Sequence, residues 1–197
     1  MTQIGIFLDR DGTINEEMDF ITSAKELHLI PGSAEAIREA NKLGFKVIII
    51  TNQSGVARGL LSEEQLLNIH KNLLDQLDDL DAHIDAIYYC PHHPEFGTER
   101  YRMECECRKP NKGMLSQAAK EFGLDLNRSF VIGDRMIDVQ TANNAGAIPI
   151  LVLTGYGKQE LDLCRQNNLR ISYVAENLED AMRHIDQTIR QKQPQAS

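Results

Sequence analysis

Apolar residues fall along this chain in short unbroken runs separated by stretches of helical spacing. Ile4 to Leu8 is the first run and Val47 to Ile50 the second. Between them, Ser33 to Leu43 carries Ala36, Ile37, Ala40 and Leu43 at the spacing of one helix face. That is a strand, helix, strand unit. Ser62 to Leu80 predicts a further helix, with Ser62 and Gln65 in capping-box positions and Leu66, Ile69, Leu73 and Leu77 as its buried stripe. Strands are expected at Ala86 to Tyr89, Phe130 to Ile132 and Ile148 to Leu153, and helices at Met114 to Phe122, Asp138 to Asn144 and Leu178 to Ile189. Strands apolar on both faces and joined through helices imply a parallel sheet covered on both sides. The predicted fold is a doubly wound α/β sandwich.

Two segments depart from the alternation. Cys90 to Pro110 holds two early prolines, then Cys105 and Cys107, with little apolar periodicity, so some force other than a core must order it. The Gln-rich end, residues 191–197, lacks apolar residues to bury and is expected to be a disordered tail. Residues 1–190 are expected to form one domain, since 197 residues with 42% hydrophobic content suffice for one core. Ile4 to Leu8 is too short for a signal peptide and no run approaches membrane-spanning length. A soluble, cytoplasmic protein without a membrane partner is expected. The formal charge of −8 argues against a broad nucleic-acid surface. A small anionic substrate stays compatible, because a few local Arg and Lys outweigh distant screened carboxylates. No long apolar stripe or heptad pattern demands a second copy, so a monomer is expected.

In an open parallel sheet, ligands bind at the carboxyl ends of the strands, which puts Asp9 and Asp11 first in line. Alternation points both carboxylates to one side, and Gly12 permits a sharp turn. An isolated Asp-Gly pair is usually only a turn. Here two other strands deliver to the same edge: Val47 to Ile50 ends in Thr51-Asn52-Gln53-Ser54-Gly55, and Phe130 to Ile132 ends in Gly133-Asp134, with Asp138 one helical turn on. Arg108-Lys109-Pro110 adds fixed positive charge before a helix. Carboxylates with a hydroxyl and a lysine suit a hard cation such as Mg²⁺ bridging protein and phosphate oxygens.

These residues, Asp9-x-Asp11-Gly12-Thr13, Thr51, Lys109 and Gly133-Asp134-x-x-x-Asp138, resemble in order the four motifs of the haloacid dehalogenase superfamily. The resemblance covers Ile4 to about Leu153 and implies a Rossmann-like core and Mg²⁺-dependent phosphoryl transfer. By that resemblance Asp9 is the nucleophile and Asp11 the general acid and base, its pKa raised by carboxylate repulsion. Thr51 and Lys109 hold the phosphoryl oxygens, and Mg²⁺ lies between Asp9, the backbone carbonyl of Asp11 and Asp134. Asp138 either holds a water around the metal or serves the helix dipole.

Cys90-Pro91-His92 and Cys105-Glu106-Cys107 offer the composition of a closed, structural Cys₃His zinc site, with His93 as an alternative to His92. Such a zinc loop, residues 90–107, ends against Arg108 and Lys109 and would fix them. Together with Thr51 to Gly59, this loop resembles the D-glycero-D-manno-heptose 1,7-bisphosphate 7-phosphatase family. That resemblance implies a cytoplasmic enzyme acting on a small phosphosugar. It places substrate on Glu17, Met18, Asp19 and Phe20, on Thr51, Asn52, Gln53 and Ser54, and on Arg58, Arg108, Lys109 and Arg135. Arg135 stands where the family pattern expects lysine. The spacing between motifs leaves no room for a separate cap domain, so a capless site is expected.

Histidinol-phosphate phosphatase is the competing enzyme reading, and a catalytically silent, zinc-ordered interaction domain is the competing class. The intact set Asp9, Asp11, Thr51, Lys109 and Asp134 separates an enzyme from the second. His28, His70, His83 and His184 fall in segments that read as surface and carry no role.

Overall fold

The structure is a computed structural model that describes residues 3–192. Its six strands are β1 (Gly5–Leu8), β2 (Lys46–Asn52), β3 (Ala86–Cys90), β4 (Phe130–Gly133), β5 (Ile148–Val152) and β6 (Tyr173–Ala175). They form one parallel sheet in the order β3-β2-β1-β4-β5-β6. Five helices connect them, α1 (Ser33–Lys42), α2 (Glu63–Asp78), α3 (Gly113–Phe122), α4 (Met136–Ala145) and α5 (Gly157–Gln166), and α6 (Leu178–Lys192) follows β6.

Both faces of the sheet are buried, which is why its central strands are apolar without alternation. Ile6, Leu8, Val47, Ile49 and Ile132 pack with α1, α2 and α6, while Phe7, Ile48, Ile50 and Val131 pack with α3 and α4. The predicted strands and helices all form, with ends moved by one to three residues. The capping box of Ser62 and Gln65 opens α2. Two elements escape the sequence pattern. Among the residues of α5 only Gly157 and Cys164 are buried, and β6 is a three-residue edge strand, so neither carries a periodic apolar signal. His70 corrects the surface reading of α2: it is buried and meets Tyr89 edge-on at 5.6 Å. Helix α6 runs on through Lys192, past the expected start of the tail, and 193–197 lie outside the described residues. Among the described residues no helix is long and apolar enough to cross a membrane.

The strand order reverses between β1 and β4, so the carboxyl ends of these neighbours open a crevice where the connecting helices diverge to opposite faces. Register sets them level: Leu8 pairs with both Ile49 and Ile132. Ile49 has no exposed surface and sits in the middle of the larger core. Ile49→Ala is expected to cost about 2–5 kcal/mol of unfolding free energy, measured by urea denaturation, and a loss under about 1 kcal/mol would contradict this packing.

Candidate active site

Asp9, Asp134 and Asp138 follow the ends of β1 and β4, and each has an oxygen within 4.8 Å of the others. All three are buried. The side chain of Lys109, 0% exposed, reaches them from the loop before α3, with Nζ 2.9 Å from Asp9 Oδ1 and 2.6 Å from Asp138 Oδ1. Its third bond goes to the carbonyl of Ile50 at 3.0 Å. Burial alone would lower the Lys109 pKa, but Asp138 and Asp9 reverse that and hold it above the usual lysine range. Asp138 therefore pairs directly with the lysine, and its Oδ2 also accepts the backbone N–H of Arg135 at 3.1 Å.

One cation against three buried carboxylates leaves the cluster negative. Burial pushes Asp134 up to about 8, with Asp9 and Asp138 adding to it, and pushes Asp9 up to about 6 despite Lys109. Asp134 Oδ1 is buried without a hydrogen-bond partner. A crowded set of hard oxygen ligands with one unsatisfied oxygen fits a divalent cation of the Mg²⁺ type. Two glycines make room for it. Gly12 (φ 76°) and Gly155 (φ 52°) lie against Asp134, where a Cβ on either would overlap its carboxylate.

Asp11 does not follow the expected rise in pKa. Burial does push its carboxyl up, but the Arg10 charge and hydrogen bonds from Asn15, Arg10 and Gln53 outweigh burial and hold it below the usual carboxylate range. Gln53 Nε2 donates both to Asp11 Oδ2 and to Thr51 Oγ1 at 2.9 Å, tying the ends of β1 and β2 together.

Asp9, Asp11, Thr51, Gln53 and Lys109 open into a cavity of about 270 Å³ lined also by Glu17, Asp19, Phe20, Asn52, Ser54, Arg58, Arg108 and Arg135. Met18, placed with the substrate by resemblance, is half exposed and does not line it. Asn52 spends its amide on the backbone of Lys109, donating to its carbonyl and accepting its N–H at 3.1 and 3.0 Å. Arg58 lies 3.9 Å from the Phe96 ring and 5.7 Å from that of Phe20. Sequence reasoning missed Tyr156, which donates its hydroxyl to Asp19 at 2.6 Å and its backbone N–H to Asp134 at 2.8 Å, and lies under Arg135. Thr154-Gly155-Tyr156 follows the apolar run of β5 at the same sheet edge, so the strand-end rule would have found it.

Cys90, His92, Cys105 and Cys107 converge with contacts of 3.2–3.8 Å between their sulfurs and His92 Nδ1. Tetrahedral Zn²⁺ with ordinary bond lengths places neighbouring ligand atoms roughly 3.6–3.8 Å apart. The cluster is compatible with zinc, and it is His92 whose ring nitrogen lies among the sulfurs. His93 instead faces Arg58 at 3.5 Å and stacks near Phe96 at 4.7 Å. Arg108 donates to the His92 carbonyl at 3.0 Å, so the cluster and the basic pair are physically joined.

A three-layer fold with this acid, hydroxyl and lysine edge is that of a haloacid dehalogenase-like phosphatase, and residues 106–181 match the HAD-hydrolase-like family model. The heptose-1,7-bisphosphate 7-phosphatase of Pasteurella multocida is 39% identical over 89% of this chain and 92% of its own. That of Escherichia coli K12 is 42% identical over 76% and 79%. The crystal structure of the heptose bisphosphate phosphatase of B. bronchiseptica, complexed with magnesium and phosphate, superposes with a TM-score of 0.85 at 36% identity, covering 94% of this chain and 99% of that one. The chain belongs to the D-glycero-β-D-manno-heptose-1,7-bisphosphate 7-phosphatase family.

The electrostatics of the metal-free cluster set a pH signature. Asp134 and Asp9 bind protons more tightly folded than unfolded, so their contribution to stability falls as pH rises from about 4 to about 8. The melting temperature gained on adding Mg²⁺ to chelator-treated protein is therefore expected to be larger at about pH 8 than at about pH 5. Equal gains at both pH values would contradict the cluster as the binding site.

Proposed function

We propose that this chain hydrolyses the C7 phosphate of D-glycero-D-manno-heptose 1,7-bisphosphate through an aspartyl phosphate on Asp9. The reading rests on the Asp9–Lys109–Asp138 contact at the β1 and β4 edge, together with relatives of that name over most of the chain. Residues 1–190 act as one catalytic domain without a separate cap.

The Asp9 carboxylate attacks phosphorus while Asp11 gives a proton to the departing C7 oxygen, so the P–O bond to the sugar breaks and an acyl phosphate forms. Asp11 then takes a proton from water. The water oxygen attacks phosphorus, the bond to Asp9 breaks, and the carboxylate returns with release of inorganic phosphate. Thr51 and Lys109 hold the equatorial oxygens, where charge is spread in the transition state. Asp9 and Asp134, with the carbonyl of Asp11, hold Mg²⁺, and Asp138 fixes Lys109 beside them. Bound Mg²⁺ neutralises the repulsion between the Asp9 carboxylate and the phosphoryl oxygens. Arg58, Arg108 and Arg135 line the cavity and suit the second phosphate, while Glu17, Asp19 and Ser54 offer hydrogen bonds to sugar hydroxyls.

Asp9→Asn is expected to lower phosphate release at least about 10³-fold with the fold intact, because no other group can accept the phosphoryl. Turnover of the heptose bisphosphate should exceed that of histidinol phosphate in a coupled phosphate assay. The reverse order would overturn the substrate assignment, and full activity of Asp9→Asn the covalent mechanism.

Zinc is the proposed occupant of the Cys90, His92, Cys105 and Cys107 cluster, where its role is to hold Arg108 and Lys109. Cys105→Ser should lose zinc by elemental analysis and lower the melting temperature. Unchanged zinc content and melting temperature would refute a structural zinc.

A further inference from the structure

Arg10, between the two motif aspartates, is among the largest fully buried side chains, at 1% exposure. A buried arginine needs partners for its fixed fork of donors. Its Nε and Nη2 donate to Asp11 Oδ1 at 3.0 and 2.8 Å, and Nη2 also reaches Oδ2 at 2.8 Å. Asn15 Nδ2 adds a bond to Oδ1 at 2.9 Å. The backbone of Arg10 builds the same turn, its carbonyl accepting the N–H groups of Ile14 at 2.9 Å and Asn15 at 3.2 Å. Asp9 takes no side-chain bond from Arg10 in this arrangement; the Arg10 backbone N–H reaches its Oδ1. Nε and Nη2 are thus committed to one carboxylate, while Nη1 is buried without a hydrogen-bond partner.

The geometry points to Arg10 as the positioning residue of Asp11. Its fork fixes the carboxylate in two directions from the core side, leaving the face toward the cavity for the sugar oxygen and then for water. A lysine at this place supplies charge at one point and leaves the carboxylate free to rotate. The inference rests on Asp11 being the acid and base of the proposed reaction.

The test uses two substrates of unequal need for that acid. The heptose bisphosphate loses a basic alkoxide, whereas 2,4-dinitrophenyl phosphate loses a stable phenolate without a proton. Because kcat/KM covers only steps up to the first departure, Arg10→Lys is expected to lower it about 10- to 100-fold for the sugar and less than about twofold for the aryl ester. Slow attack by water should then appear as a burst of dinitrophenolate. In an Asp11→Asn background, Arg10→Lys should change kcat/KM for the sugar less than about twofold, since there is no acid left to position. Arg10→Gln, which leaves no unpaired cation in the core, should show the same split.

Equal losses on both substrates, or wild-type rates in Arg10→Lys, would overturn the proposal. So would failure of both variants to fold, which would make Arg10 a structural residue only. If Asp11→Asn itself shows no difference between the substrates, the reading of Asp11 fails instead, independently of Arg10.

Discussion

A lysine without exposed surface between two carboxylates is the contact on which the rest of this structure depends. Lys109 Nζ meets Asp9, Asp138 and the Ile50 carbonyl, so one ammonium joins the ends of β1 and β2 to the start of α4. Three donors find three acceptors, which is the condition for a buried ion to be tolerated. Removing the lysine would leave three carboxylates facing each other with no cation of the chain among them. Removing Asp138 would leave Lys109 a single charged partner. The arrangement is stable only as a set, and it sets both the charge and the shape of the crevice.

Such a contact requires the backbone of Lys109 to be held in place, and the chain does this from two sides. Asn52 takes both backbone groups of Lys109, while Arg108 is bonded to the carbonyl of His92, itself a member of the Cys and His cluster. The segment 91–104 has few apolar residues to bury. Its order comes from that cluster and from Glu63, which accepts hydroxyls of Tyr89 and Tyr101 and pairs with Arg100. An irregular loop is thus fastened to α2 at one end and to the buried Lys109 at the other.

The centre of the sheet was legible in the sequence because β1, β2, β4 and β5 are buried on both faces and short apolar runs mark them, whereas the edge strand β6 is not so marked. The site was legible for a related reason: strand ends in a parallel sheet point to one edge, so Asp9, Thr51 and Asp134 could be grouped before any geometry was seen. Contacts across that edge were not legible. Repulsion between Asp9 and Asp11 looked decisive when only those two were counted, yet Arg10 and Gln53 answer Asp11 while Lys109 answers Asp9. His70 read as surface because histidine is polar, but it stands four residues after Leu66 and three before Leu73, on the buried side of α2, and meets Tyr89. Tyr156 lay within reach of the same strand-end rule, since Thr154-Gly155-Tyr156 follows the β5 run, but that stretch carries no charged group to mark it.

Chemistry and selectivity rest on different parts of the molecule. The proposed nucleophile Asp9, the carboxylate cluster and the Thr51 hydroxyl stand on strand ends whose level is fixed by register, so they have little freedom to adapt to a substrate. The groups proposed for recognition stand on loops that are tied to one another: Tyr156 to Asp19, and Arg58 at 3.9 Å from the Phe96 ring and 5.7 Å from the Phe20 ring. Arg58 therefore links the loop after β1 with the Cys and His loop, and its guanidinium has ring partners before any ligand arrives. A group ordered in advance loses less entropy on binding, which favours a ligand whose second anion lies where that guanidinium already waits. On the proposed function, the reach between the Asp9 crevice and the Arg58 rim would select among phosphate esters, while the sheet edge would treat the reacting phosphate alike in all of them.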